Sequence, residues 1–323
     1  MRLLVCGGAG FIGSNFVRQR VNDHGDHVVV LDKLTYAGRP ESLQDLGDAA
    51  TLVHGAIEDP EKVAEAIGDG VDAIVNFAAE THVDRSISGP EAFVETNVRG
   101  SLVLLEAARE RGVARYVQIS TDEVYGSIAE GSFTEESPIV PSSPYSASKA
   151  GGDLLVQSYF HTYGLETVIC RGSNNYGPYQ YPEKVIPLFV TNLIDGHTVP
   201  LYGDGLNVRD WLHVDDHCRA LHLVLRNGKP GEIYNIGGGT ELSNRELTTR
   251  LLELCGAGWD RVVPVEDRKA HDRRYSVNAG KLADELGFTP RVSFEEGLAG
   301  VVEWYRDHRS WWEPLKQPRA QAA

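Results

Sequence analysis

Short apolar runs alternate with longer amphipathic stretches through the first half of the chain. Leu3-Leu4-Val5 is strand-like and gives way to a helical pattern from Phe11. A second apolar run, 28–31, ends at Asp32, and Thr51-Leu52-Val53 precedes a helical stretch over 60–67. Ala73-Ile74-Val75 runs into Asn76-Phe77-Ala78-Ala79, and a long helix fits 90–111. Tyr116-Val117-Gln118-Ile119 leads into Ser120 and Thr121, a second long helix fits 144–163, and Thr167-Val168-Ile169 ends the series. Ser143 reads as the N-cap of that second helix, with Pro144 in its first turn, where a missing N–H costs nothing. Strands alternating with helices of this length form βαβ units. The pattern therefore predicts an α/β fold, a doubly wound parallel sheet with helices on both faces. Ligands bind such sheets at the carboxyl ends of the strands. Asp32, Ala78-Ala79, Thr121-Asp122-Glu123 and Asn174 all lie just past predicted strand ends and are expected to converge on one crevice.

After Ser173 the texture changes. Prolines and aromatics crowd into Tyr176-Gly177-Pro178-Tyr179-Gln180-Tyr181-Pro182, and arginines cluster over 268–274. The chain divides on this reading into a cofactor domain, 1–173, to which a stretch near 206–237 returns, and a smaller mixed α/β substrate lobe, 174–323. Helices are predicted at 215–226, 243–255 and 294–309, and the tail from Gln317 reads as loose.

Composition narrows the partners. A net charge of −15 argues against nucleic acid, which needs a basic face, yet a few local Arg and Lys can still hold a small anion. No apolar run approaches the ~20 residues of a membrane span, and the opening strand is too brief for a signal-peptide core. The expected compartment is the cytoplasm. Cys6, Cys170, Cys218 and Cys255 are far apart and form no C-x-x-C pair. That spacing supports neither a zinc nor a redox motif, so no metal is expected and the thiols are expected to be reduced.

The segment Gly7-Gly8-Ala9-Gly10-Phe11-Ile12-Gly13 sits between the first strand and the first helix. It satisfies G-x-x-G-x-x-G through Gly7, Gly10 and Gly13, and G-x-G-x-x-G through Gly8, Gly10 and Gly13. Glycines there permit a tight turn and let the backbone approach a pyrophosphate at the positive helix N-terminus, the Rossmann arrangement. Asp32 follows about 20 residues on, where an acid binds the ribose hydroxyls of NAD and repels the 2′-phosphate of NADP. NAD is the expected cofactor, with Lys33 as a small counter-signal.

Tyr145-Ser146-Ala147-Ser148-Lys149 places a Tyr and a Lys one turn apart on one helix face. A phenol with a pKa near ~10 is a poor base at neutral pH, and a close ammonium is expected to lower it. Alone, this spacing reads as a surface pair. The glycine loop upstream and the Thr121-Asp122-Glu123 triplet at a strand end make it candidate chemistry. Two adjacent carboxyls resist double ionisation, which keeps one proton available.

Together these segments resemble the extended short-chain dehydrogenase/reductase superfamily and, within it, the dTDP-glucose 4,6-dehydratases. The likeness runs through the glycine loop, 32–38, 76–87, 121–126 and 145–149. It continues through Asn174-Asn175-Tyr176-Gly177-Pro178, Pro182-Glu183-Lys184, Arg209-Asp210-Trp211 and His271-Asp272-Arg273-Arg274-Tyr275. The resemblance implies a lyase that takes a nucleotide-activated hexose, with dTDP-glucose favoured, to its 4-keto-6-deoxy product, with NAD regenerated in each cycle. In that scheme Tyr145, Lys149 and Thr121 remove the C4 hydroxyl proton, Glu123 takes the C5 proton, and a protonated Asp122 serves the departing C6 hydroxyl. The same resemblance puts Phe11, Ile12, Leu34, Thr35, Ala56, Ile57, Ala78, Ala79, Thr96 and Asn175 around NAD beside the glycines, Asp32 and Lys33. His82, Asn174, Lys184 and Val185 fall along the sugar and diphosphate. Pro200, Tyr202, Arg209, Asn244, Arg268, His271 and Tyr275 fall around the nucleotide. Each has an ordinary alternative as a surface ion pair, a cap or a packing residue.

Three segments depart from the family's usual pattern. Gly55-Ala56-Ile57 stands where Gly-Asp-Ile is usual, so an adenine contact must weaken or come from Glu58 or Asp59. Asp267-Arg268-Lys269-Ala270-His271 replaces Asp-Arg-Pro-Gly-His, and Gly151-Gly152 replaces other small residues on the long helix. The rival readings are a 4-epimerase or decarboxylase on the same scaffold, or a non-catalytic NAD-sensing protein. The helices 90–111 and 144–163 carry apolar residues on more than one face, among them Leu102, Leu105, Leu154, Leu155 and Tyr159. The surplus predicts a homodimer through a four-helix interface.

Overall fold

Central strands of a sheet covered on both faces are apolar without alternation, and the chain opens with five such runs. In the computed structural model, which describes residues 1–267 and 271–316, they are joined by helices as the pattern requires. The chain runs β1 (Arg2–Cys6), α1 (Phe11–His24), β2 (His27–Asp32), β3 (Ala50–His54), α2 (Pro60–Ile67), β4 (Ala73–Asn76), α3 (Val83–Ser88), α4 (Glu91–Val94), α5 (Ser101–Glu110), β5 (Arg115–Thr121), α6 (Pro144–Tyr163) and β6 (Thr167–Gly172). It continues β7 (Asn174–Tyr176), α7 (Val185–Ile194), β8 (Val199–Tyr202), β9 (Val208–His213), α8 (Val214–Asn227), β10 (Ile233–Ile236), β11 (Glu241–Ser243), α9 (Asn244–Cys255), β12 (Val262–Val265), α10 (Gly280–Leu286), α11 (Phe294–Asp307) and α12 (Arg309–Lys316).

The seven-stranded parallel sheet has the order β10-β6-β5-β4-β1-β2-β3. Alternate residues of one strand serve opposite cores. Leu3 and Val5 pack with Phe16, Val17, Leu221 and Val224 on the α1–α8 face, while Leu4 and Cys6 pack with Val63, Leu104, Leu105 and Val156 on the other. The chain leaves β1 toward β2 on one side, and β4 lies on the other, so a crevice opens above the carboxyl ends of β1 and β4. β7, β9 and β11 form a small sheet, and β8 pairs with β12. These cover a third core that includes Tyr176, Phe189, Trp211, Leu251, Phe294 and Trp312.

The long helix expected over 90–111 is not uniform. A π-helical turn, Glu95–Gly100, joins α4 to α5. Its centre is held from outside the helix. The Asn97 side chain accepts from the Glu80 N–H at 2.9 Å and donates to the Glu80 carbonyl at 3.1 Å and to Ser148 Oγ at 2.9 Å. Gly151 and Gly152 explain themselves here. A Cβ on Gly152 would stand 2.7 Å from the Asn97 carbonyl oxygen, and one on Gly151 would stand 3.1 Å from Val98 Cγ2. The two glycines let α6 press against the π turn, and such turns are frequent at functional sites.

Candidate active site

The glycine loop is a cradle that side chains would fill. Gly7 has φ +73, and a Cβ there would meet the Ala78 nitrogen at 2.6 Å; one on Gly13 would meet the Gly7 carbonyl oxygen at 2.3 Å. Gly10 caps α1, whose first turn lies on the cleft wall with Phe11, Ile12 and Gly13. At the end of β2 the buried Asp32 carboxylate accepts from the Ala9 N–H at 2.9 Å and from the Leu34 N–H at 2.8 Å. Leu34 has φ +52, which turns that N–H back. Each carboxylate oxygen keeps lone-pair capacity for a ribose hydroxyl. Gly38 leaves room for one, since a Cβ there would stand 2.5 Å from Asp32 Oδ1. Lys33 is paired with Glu58 at 2.5 Å, so its charge is not offered to a 2′-phosphate. The residues present fit NAD. Asp59 is spent capping α2, which leaves Glu58 as the acid on the cleft wall beside Gly55 and Ile57. Thr35, Ala78, Ala79, Thr96 and Asn175 also line the cleft; Ala56 is half-buried beside it and is not on its wall.

At the other end of the same cleft stand Thr121, Asp122, Glu123, Tyr145 and Lys149. The triplet ends β5, where Thr121 caps a short 3₁₀ turn by accepting from the Glu123 N–H. Burial, and next the Glu123 carboxylate, push the Asp122 carboxyl well above the usual carboxylate range. The shift favours the protonated form of Asp122. Thr121 hydrogen-bonds the Tyr145 phenol.

One expectation is corrected. The Lys149 ammonium does not lower Tyr145. Its Nζ donates to the Ile119 carbonyl at 2.6 Å, and burial takes the Tyr145 phenol above its ordinary value, with Glu123 adding to the shift. Burial also brings Lys149 itself down to about 8.

The expected substrate residues form two groups. Asn174 and Lys184 line the cleft. His82, at the N-terminus of α3, lies beside Glu183, while Val185 opens α7 next to Lys184. The second group sits around β8, β9 and β12. Pro200 and Tyr202 belong to β8, with Tyr202 exposed, and Asn244 begins α9. Arg209 is buried; it donates to the Val208 and Asp272 carbonyls and stacks 4.1 Å over the Tyr275 ring. Tyr275 in turn donates to Asp272 at 2.8 Å and reaches Glu123 at 3.5 Å, which ties this group to the triplet. His271 pairs with Asp267 at 2.6 Å. Arg268 lies outside the described residues, as do Lys269, Ala270 and the tail from Gln317.

Sequence reasoning missed several supports. Asp153 is one turn beyond Lys149, fully buried, and bound by Ser120 Oγ and Arg171 Nε at 3.0 Å each. Glu80 and His217 also line the cleft. Glu80 stood in the 76–87 run without an assigned role, and His217 had no local signal at all. Among the described residues no group of His, Cys, Asp and Glu is arranged to hold a metal, and no helix is long and apolar enough to cross a membrane.

Comparison with known proteins gives a consistent family. The chain matches the GDP-mannose 4,6 dehydratase family over residues 4–301. It is 57% identical over 325 residues to the dTDP-glucose 4,6-dehydratase of Streptomyces niveus, covering 98% of this chain and 96% of that one. A dTDP-glucose 4,6-dehydratase of Streptomyces venezuelae, solved with NAD bound, superposes with a TM-score of 0.96 at 59% identity, covering 98% of this chain and all 100% of the other. The UDP-glucose 4-epimerase of Thermotoga maritima, solved with UDP-glucose, has a TM-score of 0.90 at 33% identity over 95% of this chain and 99% of its own.

Proposed function

Because the chain belongs to the GDP-mannose 4,6 dehydratase family, we propose that it dehydrates dTDP-glucose to the 4-keto-6-deoxy sugar, as an NAD-dependent carbon–oxygen lyase of deoxysugar synthesis. The observation that carries this is the Asp122–Glu123 pair, in which burial and the Glu123 carboxylate raise the Asp122 carboxyl, in the cleft that also holds Tyr145 and the glycine cradle. An epimerase on this scaffold has no use for an acid that protonates a leaving hydroxyl.

Bound NAD supplies a hydride acceptor at C4 and later a donor at C6. Tyr145 receives the C4 hydroxyl proton, assisted by Thr121. Burial opposes this by raising the phenol, and Lys149, one turn away, can offset it only by leaving the Ile119 carbonyl that now holds its Nζ. The C4 ketone acidifies the C5 proton, which Glu123 removes. Asp122 protonates the C6 hydroxyl as it leaves as water, and Glu123 returns its proton to C5. Lys184 and Arg209 hold the diphosphate and nucleotide through cationic donors, as anionic ligands require.

Incubation with NAD and dTDP-glucose should give a product with the alkaline absorbance of a 4-keto-6-deoxy sugar. Epimerised or decarboxylated sugar would replace this reading with its rivals, and tight NAD binding without turnover on any nucleotide sugar would favour the sensing protein. Glu123→Gln should slow C5 proton loss by about 10²–10⁴-fold, with reduced cofactor accumulating on the enzyme. Asp122→Asn should block water loss while C5 exchange with solvent persists.

The domain reading follows: 1–173 with a stretch near 206–237 for NAD, and the remainder of 174–323 for the nucleotide sugar. We also read the enzyme as a cytoplasmic homodimer. Four free cysteines, three of them buried, support a reducing compartment. Val94, Leu102, Leu154 and Tyr163 are exposed on α4, α5 and α6, which supports pairing those helices across a two-fold axis; Leu105 and Tyr159 are instead spent in the core. Light scattering should give twice 35.4 kDa, falling to one chain mass in Leu154→Glu.

A further inference from the structure

The wall of the cleft beyond β6 holds several buried polar atoms without a hydrogen-bond partner among the described residues, two of them, His217 Nε2 and Asn175 Oδ1, on neighbouring side chains. Their chemical roles are fixed by the atoms that are satisfied. Asn175 Nδ2 donates to the Ser173 carbonyl at 2.9 Å, so the amide's nitrogen must point there and its oxygen elsewhere. The same Nδ2 lies 3.2 Å from His217 Nδ1, which must accept from it. An imidazole that accepts at Nδ1 and is neutral carries its hydrogen on Nε2. Burial keeps this ring neutral, with its pKa brought down to about 4. The ring packs closely on the end of β6. Its Cε1 lies where a Cβ on Gly172 would come within 2.5 Å. These two neighbouring side chains therefore present a donor at His217 Nε2 and an acceptor at Asn175 Oδ1, both buried, and leaving such groups unmatched costs free energy.

A primary carboxamide is the complement of that pair. The strand order says which part of the cofactor brings one. Asp32 ends β2 and marks the adenosine side, the glycine loop follows β1, and the triplet and Gly172 end β5 and β6 on the opposite side. A dinucleotide laid across the switch point with its adenosine at Asp32 places its nicotinamide at the β5–β6 end. We infer that His217 and Asn175 are positioning residues that clamp the nicotinamide carboxamide, His217 Nε2–H donating to its oxygen and Asn175 Oδ1 accepting from its nitrogen. This rests on the NAD reading above. The clamp fixes which way the ring is turned, and thus which face meets the sugar.

The test compares binding of NAD with that of 3-acetylpyridine adenine dinucleotide, whose methyl ketone keeps the oxygen and lacks the N–H donor. Binding is read by protein fluorescence, independent of turnover. The wild type should prefer NAD roughly tenfold. Asn175→Leu should erase the preference by weakening NAD alone. His217→Leu should weaken both dinucleotides about equally, and His217→Gln, which keeps an N–H donor, should restore part of the affinity. Equal wild-type binding of the two, or a preference that survives Asn175→Leu, overturns the clamp. No binding of either dinucleotide to wild type would instead overturn the NAD reading itself.

Discussion

At the cofactor end of the cleft the contacts are made by backbone, while around β8, β9 and β12 they are made by charged side chains. Gly7, Gly10 and Gly13 shape the cradle through what they lack, and Asp32 is oriented by two N–H groups of neighbouring turns. In the nucleotide lobe, Arg209 reaches main-chain carbonyls, Arg274 grips Glu241 and His271 grips Asp267. The first kind of site is set by local geometry and is rigid before any ligand arrives. The second is a network whose members already have partners, so a ligand there joins or replaces existing bonds. Substitutions should therefore act differently at the two ends.

The sharpest test is Gly13→Ala. The added methyl would stand 2.3 Å from the Gly7 carbonyl oxygen, with the Gly8 Cα at 2.9 Å, and neither backbone atom can yield cheaply. Overpacking of about 1–3 kcal/mol would weaken NAD by up to roughly a hundredfold. Calorimetric titration should show this with nucleotide-sugar affinity kept. A second substitution probes the other end. Arg209→Ala removes two hydrogen bonds and the stacking on Tyr275, and should weaken nucleotide-sugar binding roughly tenfold and lower the melting midpoint, with NAD affinity unchanged. If Arg209→Ala weakened NAD as much as the sugar, the two ends would not be separable.

The middle of the cleft responds to pH. Lys149 has its pKa brought from 10.5 to about 8 by burial. Its ammonium is lost from the folded protein as pH passes about 8, so kcat should fall roughly fourfold between pH 7 and 8.5 if that charge is what permits Tyr145 to act. Stability moves the other way. Between about 8 and 10.5 the unfolded chain holds a proton on this Lys that the folded one has shed, so this group's contribution to stability rises with pH there. A rate and a melting midpoint that fell together above pH 8 would contradict the assignment.

The same contrast explains what could be read from sequence. The strands β1, β2, β4, β5 and β6, the helix α6 with Ser143 as its cap and Pro144 in its first turn, and the glycine turn depend on neighbours a few residues away, and their residues announce them. The π turn does not: it exists because Asn97 is clamped to Glu80 and Ser148 and because Gly152 admits the Asn97 carbonyl. The engagement of Lys149 with the Ile119 carbonyl, the Asp153–Arg171 pair beneath it and the place of His217 on the cleft wall all join residues far apart in the chain. A helical repeat could put Lys149 beside Tyr145. It could not show which group the ammonium would choose.

The smallest effect is expected at one residue of the family resemblance. Arg274 lies in the His271-to-Tyr275 segment, yet its guanidinium makes a bidentate pair with Glu241, both contacts at 2.7 Å, and a third bond to the Gly131 carbonyl at 2.8 Å. Ser276 Oγ donates to the same carboxylate at 2.7 Å. These bonds strap the loop near Gly131 to β11 and leave the guanidinium facing protein. Both charges remain partly exposed, so solvent screens them and the pair is worth about 1 kcal/mol or less. Arg274→Gln should lower stability by about that amount in a denaturant titration, with kcat, NAD affinity and nucleotide-sugar affinity all kept. A clear loss of nucleotide-sugar affinity would move Arg274 from strap to ligand contact, and would mean that the lobe's internal ion pairs exchange partners when the substrate binds.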